Sequence, residues 1–203
     1  MNTRTLLTAV LSAGLLASCA PALTGPTAAT PGRLNVAQPA PTVPAGTLTV
    51  FSNSFRNGGP ISLAQVGSDC GGGNISPALS WTGAPAGTVS FVVTAYDPDA
   101  PTGSGFRHWT VYNLPATTTS LPAGAGSTGG SLPAGAVQGV NDAGTTAYLG
   151  PCPPPGEPHR YIFTVYALNK TLDLPTGASQ AIVGFNLNGI TLAKASTTGL
   201  YGR

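Results

Sequence analysis

Three apolar runs rich in β-branched and aromatic residues constrain the fold of this chain most strongly. They span residues 89–96, 108–114 and 160–168, and each has the length and composition of a largely buried β-strand. The sequence around them is rich in turn-forming residues, with 28 glycines and 20 prolines in 203 residues. This composition disfavours a helical bundle and predicts a mainly β fold whose short strands are joined by many turns.

The remaining predicted elements have weaker patterns. Residues 47–51 alternate as a first strand, and residues 70–81 form a glycine loop that runs into a short strand. The glycine triplet at 71–73 is followed by neither a helix start nor a P-loop lysine, which disfavours nucleotide binding. Apolar residues at helical spacing over residues 177–195 predict a short helix near the C-terminus, although Gly184 and Gly189 weaken that pattern.

The N-terminus has the pattern of a targeting segment. Arg4 precedes a short apolar run at residues 6–16, which is too short to span a bilayer. The run ends in Leu-Ala-Ser followed by Cys19, a pattern that resembles a bacterial lipobox. Residues 1–18 are therefore predicted to be a lipoprotein signal peptide, with lipidated Cys19 anchoring the protein to a membrane of the bacterial cell envelope, outside the cytoplasm. The alternative is an ordinary secretory signal without lipidation.

Residues 19–46 are predicted to connect that anchor to the domain. Pro, Ala, Thr and Gly dominate this segment, and it lacks the periodicity of a folded element, so it resembles a flexible tether. The folded domain is predicted to span residues 47–203. The net charge of +2 comes without any basic run, which disfavours nucleic acid as a partner.

The ionisable residues of this charge-poor chain are concentrated between residues 97 and 161. This window holds both histidines and four of the six acidic residues. Such a concentration among prolines and glycines predicts a polar site. The alternative is that the acids are ordinary turn residues. The residues concerned are Asp97, Asp99, His108, Asp142, Glu157 and His159.

The strand pattern predicts where three of these residues meet. Asp97 lies at the end of one predicted strand, whereas His108 and His159 lie at the starts of two others, so antiparallel pairing brings all three to one edge of the sheet. Two histidines and a carboxylate are compatible with a Zn²⁺ site, with Ser/His/Asp hydrolysis or with binding of an anion or polar headgroup. The sequence has neither a His-x-x-x-His spacing nor a Gly-x-Ser-x-Gly elbow, so anion binding fits best.

Several motifs together resemble a known family. They are Asp97-Pro98-Asp99-Ala100-Pro101, His108-Trp109, Asn141-Asp142, Gly150-Pro151-Cys152-Pro153-Pro154, His159-Arg160-Tyr161, residues 70–81 and the ending Leu200-Tyr201-Gly202-Arg203. The combination is similar to the phosphatidylethanolamine-binding protein family, in particular its bacterial Raf-kinase-inhibitor-like branch. The resemblance covers about residues 48–203 and implies a large antiparallel sheet packed on a smaller one, with few helices.

The resemblance also implies a small pocket for phosphate-like anions or phospholipid headgroups, without metal or cofactor. Asp99 and Pro101 would hold a loop beside it, through a cis Ala100–Pro101 bond, and Arg160 would make a structural ion pair. Its implied ligand-binding residues are Asp97, His108, Gly150, Pro151, Cys152, Pro153, His159 and Tyr161, with Asp99, Pro101, Trp109, Asp142 and Arg160 as supporting residues.

Two cysteines, Cys70 and Cys152, remain for the predicted domain, and an oxidising compartment favours a disulfide between them.

The main functional hypothesis is a tethered protein that binds a small anion or a phospholipid headgroup, for which no catalysis is needed. The alternatives are a protein-interaction module that inhibits a partner enzyme, with a regulatory or vestigial pocket, and, third, an enzyme.

Overall fold

The computed structural model describes residues 48–203, so the predicted signal peptide, Cys19 and the tether lie outside the described residues. This part of the chain is mainly β, as predicted. It contains β1 (Thr49–Phe51), β2 (Gly59–Pro60), a 3-10 turn (Ser68–Cys70), β3 (Leu79–Thr82), β4 (Ser90–Asp97), β5 (Phe106–Pro115), β6 (Ser120–Leu121), β7 (Val137–Gln138), β8 (His159–Leu168), α1 (Gln180–Asn186) and β9 (Thr191–Tyr201).

The strands form a large sheet and a small one. The large sheet has six strands in the order β2-β9-β8-β4-β5-β7, and the small sheet has three in the order β1-β3-β6. All pairs are antiparallel except the short parallel pair of β2 with β9 at one edge. The expected architecture, a large antiparallel sheet beside a smaller one, is therefore confirmed, with one parallel edge strand added.

The apolar core lies on both faces of the large sheet. One face packs against the small sheet, and there the rings of Trp81 and Phe91 meet at 5.4 Å between centroids. The other face is covered by α1, whose buried Val183 packs with Val92 and Tyr166. The three long strands are buried on both faces, which explains why their sequences are continuous apolar runs rather than alternating ones.

The register of the long strands brings the predicted polar residues to one edge. β4 lies between β5 and β8 and is antiparallel to both. Asp97 at the end of β4 pairs with Phe106, two residues before His108, and β8 begins at His159. The predicted meeting of Asp97, His108 and His159 is confirmed. We call this end of the strands the site end. We call the opposite end of the strands the distal end; it holds Ser90, Pro115, Leu168 and Thr191.

The predicted helix over residues 177–195 is wrong in its length. The helix spans only Gln180–Asn186, and the residues from Thr191 onwards form the longest strand of the sheet. Gly189 has a positive φ of 73°, which breaks the helix and reverses the chain. The sequence after it alternates small, apolar and polar residues, which suits the pairing with β8. No helix among residues 48–203 is long and apolar enough to cross a bilayer.

Candidate functional site

A cavity of about 300 Å³ opens at the site end of the large sheet. Segments that are distant in the sequence form its wall: the turn before Cys70, the loop after β4, the start of β5, the loop from Leu149 to Pro154 and the start of β8. The wall is mostly apolar, with a few polar groups. It consists of Gly67, Ser68, Asp69, Asp97, Ala100, Pro101, Thr102, Phe106, His108, Leu149, Gly150, Cys152, Pro153, Pro154, His159 and Tyr161.

Asp97 organises the polar part of the wall. Its side chain is almost wholly buried, with 3% of its surface exposed. Oδ1 accepts hydrogen bonds from the backbone N–H groups of Asp99 at 2.8 Å and Ala100 at 3.1 Å. Oδ2 accepts one from Nδ1 of His159 at 2.7 Å. One carboxylate therefore fixes both the following loop and the orientation of the His159 ring, whose Nε2 atom is left free to meet a ligand.

His108 enters the cavity wall because of a β-bulge. Ala95 pairs with Trp109, whereas the next residue, Tyr96, pairs with Arg107, so His108 is the extra residue on β5. Such bulges re-aim side chains and are common beside functional sites. The Leu149 carbonyl oxygen lies 2.7 Å from Nδ1 of His108. Because a carbonyl can only accept, Nδ1 holds the proton and Nε2 is the remaining nitrogen.

The ring of His108 is held in an aromatic setting that favours its neutral form. It lies 4.9 Å from the Phe106 ring and 5.2 Å from the Tyr161 ring, centroid to centroid. Burial lowers the pKa of His108 below its ordinary value of about 6.5, and the opposing effects of the Leu149 carbonyl and the Asp97 charge do not cancel this. In the ligand-free protein at neutral pH, Nε2 of His108 is therefore an unprotonated acceptor.

Tyr161 adds a third polar group without an internal partner. Its side chain is buried, and its hydroxyl makes no hydrogen bond of standard geometry within residues 48–203, although the Asp97 carboxylate lies nearby. Burial raises the pKa of this phenol, and the negative charge of Asp97 raises it further, so the hydroxyl stays protonated as a donor. Buried polar groups in native proteins are nearly always satisfied, so an orphaned hydroxyl on a cavity wall indicates a place for a ligand or water.

A disulfide joins the two sides of the cavity mouth. Cys70 and Cys152 are bonded, with 5.5 Å between their Cα atoms, which confirms the predicted pairing. Beside it, the Gly67 N–H donates to the Pro151 carbonyl at 2.9 Å. Gly150 approaches the Gln65 carbonyl so closely that a side chain there would collide with it. The turn before Cys70 and the Gly150–Pro153 loop are therefore held together as one wall.

An ion pair and the C-terminal residue support the same wall. Arg160 binds Asp99 through both Nε, at 2.9 Å to Oδ2, and NH2, at 2.8 Å to Oδ1. This bidentate pair confirms the predicted structural function of Arg160. Arg203 donates from Nε to the Pro153 carbonyl at 2.7 Å. The expected cis Ala100–Pro101 bond is wrong, since residues 48–203 contain no cis peptide; this loop is held by the hydrogen bond from the Ala100 N–H to Asp97.

Five of the predicted site residues lie outside the wall: Asp99 and Arg160, which form the ion pair described above, and Trp109, Pro151 and Asp142. Trp109 points into the core between the sheets, where its indole N–H donates to Gln138 at 2.8 Å. Pro151 is not part of the wall, and its carbonyl accepts the hydrogen bond from the Gly67 N–H. Asp142 lies outside the wall and binds the backbone and side chain of Arg107. The other predicted ligand residues, Asp97, His108, Gly150, Cys152, Pro153, His159 and Tyr161, line the cavity; that they bind a ligand stays a prediction.

Sequence reasoning missed about half of the cavity wall. Ser68 and Asp69 were not predicted, although they precede Cys70 and the predicted disulfide places them beside the Gly150–Pro153 loop. Phe106 and Leu149 were also missed, and no local pattern distinguishes them from core residues.

Within the described part of the chain, no group of three or more His, Cys, Asp or Glu is arranged to hold a metal ion.

Comparisons with known proteins agree with the fold and with the motifs. The family model described as phosphatidylethanolamine-binding protein matches residues 51–202. The Escherichia coli protein YbhB is 51% identical over 157 residues, covering 76% of this chain and 99% of YbhB. The crystal structure of Escherichia coli YbcL, described as a new member of the mammalian PEBP family, matches with a TM-score of 0.74 and 48% identity, covering 77% of this chain and 98% of that one.

A mycobacterial relative is named as a lipoprotein. LppC of Mycobacterium tuberculosis, named as a candidate lipoprotein, is 41% identical over 143 residues, covering 70% of this chain and 64% of LppC. The bulged His108, the Asp97–His159 pair and the disulfide-closed cavity all lie within the residues that the family model matches. The chain belongs to the phosphatidylethanolamine-binding protein family.

Proposed function

We propose that the domain binds a small anion, such as phosphate or the phosphate of a phospholipid headgroup, in the cavity at the site end. The observation that supports this most is a set of three polar atoms on the wall, none of which makes a hydrogen bond of standard geometry within residues 48–203: Nε2 of His108, Nε2 of His159 and the Tyr161 hydroxyl. A phosphate can satisfy all three, because its oxygens accept from the Tyr161 hydroxyl and from a protonated imidazole, and its P–OH group donates to an unprotonated one. The surrounding apolar wall excludes water and strengthens each hydrogen bond.

The protonation of His108 links binding to pH. A neutral Nε2 accepts a hydrogen bond but cannot donate one to an anion. An anion that contacts this atom therefore brings a proton with it, as a monoprotonated phosphate does, or induces His108 to take one from solution. Nearby, Asp97 is a negative charge that disfavours a bare anion, and only a protonated His159 would offset this charge. Binding is therefore favoured below neutral pH.

Replacing His108 with glutamine is expected to weaken phosphate binding by about tenfold or more, since a charged hydrogen bond contributes roughly 1.5–3 kcal/mol. Isothermal titration with phosphate and with phosphoethanolamine at pH 6 measures this. Lys170→Gln is the matched control, because it removes a positive charge at the distal end and leaves the cavity intact. If the wild type and His108→Gln are both folded and bind phosphate with equal affinity, the cavity is not the binding site.

We also propose that the protein is a lipoprotein of the bacterial cell envelope, anchored by Cys19 outside the cytoplasm. The lipobox-like sequence, the disulfide Cys70–Cys152 and the naming of LppC support this. Intact-mass analysis of the mature protein tests the anchor. A diacylglyceryl group on an N-terminal Cys19 supports it, whereas a mature N-terminus beyond residue 19 contradicts it.

A further inference from the structure

The cavity presents an acceptor atom at a place where an anion site ordinarily presents a donor. Nδ1 of His108 lies 2.7 Å from the Leu149 carbonyl oxygen, which can only accept, so Nε2 is an acceptor while the ring is neutral. The rings of Phe106 and Tyr161 lie 4.9 Å and 5.2 Å from the His108 ring, and burial lowers its pKa below the ordinary value. A bare oxyanion also only accepts, so it would leave this buried nitrogen unpaired.

The charged groups around the cavity favour a ligand of low negative charge. Among the described residues, no lysine or arginine is part of the wall, whereas Asp69 and Asp97 are. The titratable groups that act on His108 are Asp97, Asp142, His159 and Tyr161. The arginines at the site end are engaged outside the wall: Arg107 with Asp142, Arg160 with Asp99 and Arg203 with the Pro153 carbonyl. Each further negative charge on a ligand is therefore repelled by Asp97 without a fixed cation in the wall to offset it.

A phosphate that carries a proton and a single negative charge meets both conditions. Its P–OH group donates to Nε2 of His108, and its other oxygens accept from the Tyr161 hydroxyl. The ring and the phosphate then share this proton, whichever of the two atoms holds it. A phosphomonoester has such a proton near pH 6, because its second pKa is about 6. A phosphodiester, as in an intact phospholipid, has one charge but no P–OH group, and sulfate has two charges and no proton.

We propose that the cavity selects phosphomonoester monoanions, and inorganic phosphate with a P–OH group, over phosphodiesters and sulfate, and that Nε2 of His108 makes this selection. The inference rests on the proposed anion binding and narrows its ligand class to phosphates that bring their own proton. The cavity volume of about 300 Å³ admits both ester classes, so size does not decide between them. A diester binds only if His108 takes a proton from solution, which the burial of the ring disfavours.

Isothermal titration of the mature protein with methyl phosphate, dimethyl phosphate and sulfate at pH 6 tests the selection. We expect methyl phosphate to bind at least about tenfold more tightly than the other two, because each of them leaves a buried acceptor unpaired. His108→Gln is expected to reduce this preference to about threefold or less, since the glutamine amide can donate to a bare oxygen. Lys170→Gln, at the distal end, is the control and is expected to keep the wild-type preference.

Proton uptake gives a second measurement, which needs no variant. Titrations in two buffers of different ionisation enthalpy measure the number of protons taken up as each complex forms. At pH 6 methyl phosphate is expected to take up about half a proton, because about half of it already carries one, whereas any bound dimethyl phosphate takes up more, approaching one. Equal affinities of the wild type for methyl and dimethyl phosphate overturn the selection and leave anion binding intact. So does an unchanged preference in folded His108→Gln. Binding of none of the three ligands contradicts the proposed function itself.

Discussion

Replacing Cys70 and Cys152 together with serine is expected to lower the free energy of unfolding by about 4 kcal/mol. The disulfide closes a loop whose ends are 82 residues apart in the sequence. Closing a loop of this length restricts the unfolded chain by about that amount in the chain-entropy model. Guanidinium denaturation of the wild type, with and without reductant, and of the double variant measures it.

The double variant, which has no disulfide to reduce, is the control for any other effect of the reductant. Reduction is expected to lower the denaturation midpoint of the wild type to that of the variant and to leave the variant unchanged. The free energy of phosphate binding is expected to fall by less than the free energy of unfolding. This is because Gly67 still donates to Pro151 and Gly150 still donates to Asn74 across the cavity mouth. A wild type that keeps its midpoint in reductant would show that the disulfide does not contribute to stability.

Replacing Asp97 with alanine is expected to lower the free energy of unfolding by about 3 kcal/mol, as when one partner of a buried charged pair is removed. It leaves the Asp99 and Ala100 N–H groups and the Nδ1–H of His159 without their acceptor. We also expect phosphate binding to be lost, since the orientation of His159 and the position of the loop both depend on Asp97. Chemical denaturation and isothermal titration measure the two effects.

Asp142→Ala is the matched control for Asp97→Ala. The Asp142 side chain is 32% exposed and pairs with Arg107 at 3.4 Å, outside the cavity wall. Exposed pairs contribute little, so we expect a loss of about 1 kcal/mol or less and unchanged phosphate affinity. If both variants lose the same stability and the same affinity, Asp97 does not organise the site in the way the hydrogen bonds indicate.

The strands and the polar edge were predictable from the sequence because both depend on local patterns. β4, β5 and β8 are continuous apolar runs, and Asp97, His108 and His159 lie at or near their ends, so antiparallel pairing alone brings these three residues together. The resemblance added a structural ion pair for Arg160, without its partner, and the loop at Gly150. The helix was predicted too long because apolar spacing continues past Gly189, where the backbone turns and β9 begins.

The rest of the cavity depends on contacts that no local pattern encodes. The bulge that turns His108 into the wall arises from a register shift between two strands, and the same shift leaves Trp109 in the core. Asp69 lies in the wall because the disulfide holds the neighbouring Cys70 there. Leu149 lies there because its carbonyl oxygen accepts a hydrogen bond from His108. These residues come together only when sheet register and loop packing are known.

The pKa of His108 with and without phosphate tests the central claim most directly. ¹⁵N NMR of the two imidazoles over a pH titration measures it. Without ligand, we expect a pKa below about 6.5, because burial disfavours the charged ring. The unfolded chain then binds this proton more readily, so stability is lost as the pH falls from about 6.5 through the pKa of the folded protein. An anion bound at Nε2 stabilises the protonated ring. Saturating phosphate is therefore predicted to raise the pKa of His108 and to shift the His159 resonances with the same saturation curve. Superimposable titration curves with and without phosphate would contradict anion binding in this cavity.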